Sequence, residues 1–321
     1  MLPSLGGRYA FDGATVCFVP RFPFVAGTEY TLLVHRSVTE GGRGGAADAG
    51  SNRCFDLEDY EPLTITSPTV TSEATTRVVE IHPTALEVPR NVLRLYVHFS
   101  APMSEGFAAS RVHVRRTDTG EEIAGALLPM EPELWDPSRR RLTVLFDPAR
   151  IKRGLAPHRE IGYPLAAGVA VDVVVDEGFL DADGRPLVTS FSRHYDVGVD
   201  ERTRVDPHHW RLEPPAAGTT NPLVVSFDRP LDHALLQHCI TLVDADGNHI
   251  VGRASIPSGE RSWQFAPAAR WERVRYCLVV EPILEDLAGN SLRRVFDRDL
   301  SDPRQTPERS VRASLVFSPA P

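Results

Sequence analysis

The chain has 321 residues, 42% hydrophobic and 24% charged, with a formal charge of −8 at neutral pH, which is globular composition and excludes a wholly disordered chain. No dense Lys/Arg stripe offsets the acidic balance, so the electrostatic footprint of a nucleic-acid-binding protein is missing and nucleic acid is excluded as a partner. The 27 Pro and 23 Gly residues interrupt the chain too often for long helices and favour short strands joined by tight turns.

Read in chain order, the start MLPSLGGRYAFDG has no basic segment followed by an apolar stretch, so no secretory signal peptide is visible. No run of about 18 apolar residues follows, and no transmembrane segment is expected. The first predicted strands are Ala14 to Pro20 (ATVCFVP) and Gly27 to Val34 (GTEYTLLV). Thr39 to Ser51 is Gly/Ala-rich, and residues 37–77 read as a linker or long loop.

Asn91 to Met103 (NVLRLYVHFSAPM) and Asn221 to Leu231 (NPLVVSFDRPL) repeat one pattern, an alternating strand ending in Phe, a polar residue, one further residue, Pro and an apolar residue. Arg141 to Pro148 (RLTVLFDP) and Arg261 to Pro267 (RSWQFAP) each stop at Phe-x-Pro, as ATVCFVP does. Each is followed by another strand: GTEYTLLV in the first copy, Gly168 to Val175 (GVAVDVVV) in the second and Val274 to Val280 (VRYCLVV) in the third. Two copies then enter an acidic turn, Leu180 to Leu187 (LDADGRPL) and Leu284 to Leu292 (LEDLAGNSL). Period-two alternation puts one face of each strand in a core, and Phe99, Phe146, Phe227 and Phe265 are the expected core residues.

The boundaries that follow are a C-terminal half-module over 1–36, the linker over 37–77, and complete modules over 78–200 and 206–321. The third ends in a polar segment, Ser301 to Glu308, and a last strand within Val311 to Phe317. A half-module alone would expose its core face and an unpaired edge, so the first copy is expected to continue upstream of Met1 or to dock on its neighbour.

On Phe99-Ser100-Ala101-Pro102-Met103 and Glu285 to Asn290 (EDLAGN), together with Phe-x-Pro followed by Gly-x-x-Tyr, whose Tyr position Tyr30 and Tyr276 occupy, the chain resembles the bacterial Ig-like family of S-layer and other surface proteins. The resemblance covers about residues 78 to 198 and 206 to 300, with a partial match over 7 to 36. It departs at Asp181-Ala182-Asp183-Gly184 and at Phe227-Asp228-Arg229-Pro230-Leu231. It implies an all-β chain of tandem immunoglobulin-like sandwich modules, and a stalk, spacer or adhesive role in an exported protein, hence an extracytoplasmic place. It names no catalytic residue.

Little chemistry is legible. Gly-x-Ser-x-Gly, His-Glu-x-x-His, Walker and Rossmann patterns are all missing, so no enzyme is expected. His208 and His209, with His233, His238 or His249, offer imidazoles to copper or zinc, although neighbours on a strand point to opposite faces. Asp181, Asp183, Glu285 and Asp286 offer carboxylates to calcium without an EF-hand spacing. Ile81-His82-Pro83 and His98-Phe99-Ser100 are similar to elements of periplasmic copper-carrier sandwiches, whose ligands are an N-terminal His and further His or Met; with three Met in this chain, the likeness is assigned to shared architecture.

No cofactor is thus required, with calcium and copper as the alternatives. Trp135, in a polar loop, is a candidate contact for a glycan or protein partner, and Trp210 a candidate contact or inter-domain plug. Of Cys17, Cys54, Cys239 and Cys277, the last two could form a disulfide within one sandwich or remain buried thiols. The alternative functions are a periplasmic metal-binding sandwich and an accessory module of a carbohydrate-active system.

Overall fold

The structure, a computed structural model, describes residues 5–13, 15–22, 24–25, 27–36, 59–67, 73–298 and 312–321. It is all-β. Strands β1 (Gly7–Asp12) and β2 (Thr15–Pro20) form one antiparallel ribbon, and β3 (Glu29–His35) and β4 (Tyr60–Thr66) a second. The first sandwich is built from β5 (Val78–His82), β6 (Glu87–Pro89), β7 (Arg94–Phe99), β8 (Val112–Arg116), β9 (Leu134–Trp135), β10 (Arg141–Leu145), β11 (Ala170–Val175) and β12 (Phe191–Gly198). The second uses β13 (Arg211–Glu213), β14 (Leu223–Ser226), β15 (Ile240–Val243), β16 (Gly252–Ser255), β17 (Ser262–Pro267), β18 (Tyr276–Val280) and β19 (Ala313–Phe317).

The repeat seen in the sequence is a repeat of topology. One sheet runs β5-β7-β10-β9 in the first sandwich and β13-β14-β17-β16 in the second; the facing sheets run β12-β11-β8 and β19-β18-β15, with β6 added in parallel beside β12. Alternation decides which side chains meet between the sheets: Leu142 and Val144 of β10, and Val171, Val173 and Val175 of β11, point into the first core while their neighbours do not. Phe99, Phe146, Phe227 and Phe265 are 4%, 2%, 7% and 7% exposed, as the strand register requires. A separate core gathers Trp210, Leu223, Val225, Trp263, Trp271, Leu278 and Val280.

The N-terminal ribbons carry the pairings of the second half of a sandwich: β1 pairs with β2 as β16 does with β17, and β3 with β4 as β18 does with β19. The match reaches single atoms. A Cβ on Gly7 would lie 2.4 Å from the ring of Phe18, and one on Gly252 2.4 Å from the ring of Phe265, so each glycine lets an aromatic ring cover the backbone of the next strand. The Tyr30 hydroxyl accepts from the Val25 amide at 2.7 Å, and the Tyr276 hydroxyl from the Glu272 amide at 3.1 Å.

The inner faces differ, however: Leu32, Leu63 and Ile65 are 43%, 49% and 51% exposed, whereas Leu278 and Phe317, at the places of Leu32 and Ile65, are at 0% and 6%. The stretch expected as linker is strand at Tyr60–Thr66, and Thr76, also assigned to it, is fully buried and donates to Asp181 at 2.7 Å. Residues 37–58, including Cys54, lie outside the described residues.

Candidate functional site

The two sandwiches meet through buried polar residues. Arg94 and Tyr96 leave β7 on the side facing the second sandwich. Tyr96 Oη donates to both Asp232 oxygens at 3.0 and 2.8 Å, and Arg94 Nε donates to Asp232 Oδ2 at 2.7 Å while its Nη2 reaches Glu285. Asp232 in turn accepts from the Leu235 amide at 2.9 Å, capping the one-turn helix His233–Leu236. Burial, reinforced by the Asp232 charge, pushes the Tyr96 phenol far above its ordinary range, so it remains a donor. Burial and Asp232 also raise Glu285 against the opposing pull of Arg94.

Beside this network His233 lies against His82, the ring centroids 3.4 Å apart and tilted by 24°, and His98 packs on His82 at 5.1 Å. Both β-strand histidines belong to the first sandwich. Glu260 reaches His82 and His233 from the loop before β17, in a left-handed backbone conformation (φ 50°) and fully buried. Its carboxylate accepts from the Thr84 amide at 2.7 Å, Thr84 Oγ1 at 2.9 Å and the Ala85 amide at 3.1 Å, and pairs with His82 Nδ1 at 2.9 Å. Thr84 also accepts from the Gly259 amide at 2.7 Å.

His233 Nδ1 stands at ion-pair distance, 3.4 Å, from Glu260 Oε1 but has no hydrogen-bond partner. Burial would raise Glu260, yet His233, His82 and Thr84 outweigh it and hold the carboxyl down at about 2. Burial, then the charges of His82 and His233, lower His98 to about 4. Among the described residues, His82, His233 and Glu260 are the one group of three or more His, Cys, Asp or Glu whose ligand atoms converge, all within 4.8 Å.

The sequence-derived candidates fall elsewhere. His208 and His209 are exposed in a short 3-10 turn, and His238 and His249 are exposed as well; His233 meets His82 instead. Asp181 accepts from the Asp183 and Arg185 amides at 2.9 Å each and pairs with Arg185 at 3.0 Å. Asp286 does the same work in the other module, accepting from the Ala288 and Asn290 amides at 3.0 and 2.9 Å and from Asn290 Nδ2 at 3.0 Å. Asp183 pairs with Arg185 and Glu285 with Arg94. These carboxylates organise turns and ion pairs with the chain's own donors.

Trp135 packs on Phe99 and Phe179 and donates its indole N–H to Glu133 at 2.8 Å. Trp210 is 7% exposed against Phe227 in the second core. Trp135 is thus half-buried and Trp210 buried, and the residue that enters the neighbouring sandwich is Leu287 of the second acidic turn, which joins the first core, its carbonyl accepting from the Leu93 amide at 2.8 Å.

Cys239 and Cys277 are free. They sit on paired strands at opposite ends of the ladder, since Cys277 faces Val243 while Cys239 precedes Ile240, which faces Val280. That offset is about 13 Å at strand rise, beyond the reach of a disulfide. Burial pushes the Cys239 thiol up to about 11, an unreactive core group.

The fold thus defines a tandem β-sandwich protein. No protein-family model matches the chain, and no curated protein matches it. Among solved structures it is similar to the S-layer protein rSbsC(31-844) at a TM-score of 0.27 and 15% identity, over 64% of this chain and 23% of that one. A second likeness is to native alpha-2-macroglobulin from Escherichia coli spanning domains MG0-NIE-MG1, at a TM-score of 0.25 and 9% identity, over 76% of this chain and 71% of that one. The chain spans under a quarter of the length of the first of these. No helix among the described residues is long and apolar enough to cross a membrane.

Proposed function

We propose that this chain is a non-catalytic structural module of an exported bacterial protein, in which two Ig-like sandwiches are held in one fixed orientation as a stiff spacer. The observation that carries this reading is the grip of Glu260 on Thr84 and Ala85. A carboxylate buried to that degree is tolerable only while its donors stay in place, so the contact opposes any hinge between the sandwiches. Arg94, Tyr96 and Asp232 oppose the same motion a few residues away. The extracytoplasmic place follows from the family resemblance of the Phe-Ser-Ala-Pro-Met and Glu-Asp-Leu-Ala-Gly-Asn motifs.

Residual dipolar couplings measured on the full chain test the reading. Both sandwiches of the wild type should share one alignment tensor; two independent tensors would overturn the spacer. Glu260→Ala should uncouple them and lower stability by about 3 kcal/mol, the usual size of breaking a buried charged pair, measured by denaturant unfolding.

A further inference from the structure

We propose that the junction cluster is a binding site for one zinc-class transition-metal dication, with His82 of the first sandwich and His233 and Glu260 of the second as its ligands. The donors already converge. Two of the separations that matter, His82 Nδ1 and His233 Nδ1 to Glu260 Oε1, are 2.9 and 3.4 Å. Bonds of about 2.0 to 2.2 Å in a tetrahedral site put neighbouring donors about 3.3 to 3.6 Å apart.

Two buried imidazole nitrogens, His98 Nε2 and His233 Nδ1, have no hydrogen-bond partner. Such orphans are rare in native folds and mark a missing partner. A cation at the paired Nδ1 edges of the two rings would supply one to His233 and leave a fourth position for water or for His98, whose ring centroid is 6.2 Å from that of His233.

The ligands stand on braced elements, as a metal site requires: His82 on β5, His233 on a helix capped by Asp232, and Glu260 on a loop held by Thr84 through the Gly259 amide. Two imidazoles and one carboxylate suit Zn(II), Cu(II) or Ni(II), whereas calcium takes six to eight oxygen ligands. Metal at His82 Nδ1 displaces the proton that this nitrogen offers Glu260, and the neutral ring then carries its proton on Nε2. Because the ligands come from both sandwiches, the ion would join them.

Zn(II) titrated calorimetrically into the chelator-stripped full chain is the test. One equivalent should bind, raise the thermal midpoint and be lost in His233→Asn and in Glu260→Gln, while His208→Ala/His209→Ala binds as the wild type does. Saturable binding that survives His233→Asn, or that disappears with His208 and His209, would overturn the site, as would no binding at all. Should the Glu260 variant fail to fold, the ring 15N signals of wild-type His82 and His233 decide: both must shift on addition of Zn(II), and unchanged signals overturn the assignment.

Discussion

At the scale of single residues, arginines grip carboxylates at and beside the junction. Asp200 shows the rule: its carboxylate takes Arg90 Nε at 3.0 Å and Arg90 Nη2 at 2.6 Å on one oxygen and Arg202 on the other. Burial opposes ionisation there, but Arg202 and Arg90 prevail and hold Asp200 at about 2 against an ordinary 3.8. The folded pKa lies below the unfolded one, so this stabilisation is complete above pH 3.8 and is lost as pH falls towards 2. The thermal midpoint, followed from pH 5 to pH 2, should therefore fall less steeply in Asp200→Asn than in the wild type; parallel curves would show that the pair carries no linked stability.

Between elements, the strands were legible and their junction was not. Phe-x-Pro and period-two alternation mark β10 and β17 because every strand of a sandwich must bury one face, and the copies repeat because the same pairing problem is solved twice. Glu260 carries no such signal: Pro257-Ser258-Gly259-Glu260 reads as an ordinary polar turn, and its partners Thr84 and His82 are more than 170 positions away. His82 and His98 stood in motifs already noticed, but only the second sandwich supplies the residues that make them a site. The acidic turns read as ligand loops because Asp-rich turns and calcium loops share a composition; the amides that fill Asp181 and Asp286 are invisible until the backbone closes.

Gly252 offers a test at this scale. A methyl group at that position meets Phe265 at 2.4 Å, so Gly252→Ala should destabilise the second sandwich by about 1 to 3 kcal/mol through overpacking, read by chemical unfolding. A neutral result would remove the ring-on-glycine match between β16–β17 and β1–β2.

For the whole molecule, the consequence of a shared junction is shared unfolding. Leu287 belongs by chain position to the second module and by burial to the core of the first, and Gly289, at φ +78°, brings the turn so close that a Cβ would lie 2.7 Å from Leu93 Cδ2. Calorimetry of the full chain should show the two sandwiches melting in one transition. Leu287→Asp, which places a charge in the first core, should split it into two and lower the first; a single unshifted transition would mean the modules are coupled elsewhere.

The two acidic turns also differ where it matters for order along the chain. The bridges Met103 to Asp181 and Leu231 to Asp286 align them, which sets Ala182 in the place that Leu287 holds. A module of the first kind placed after one bearing Leu93 would offer a methyl group to a leucine-sized hole, and so the tandem has a direction written into one side chain.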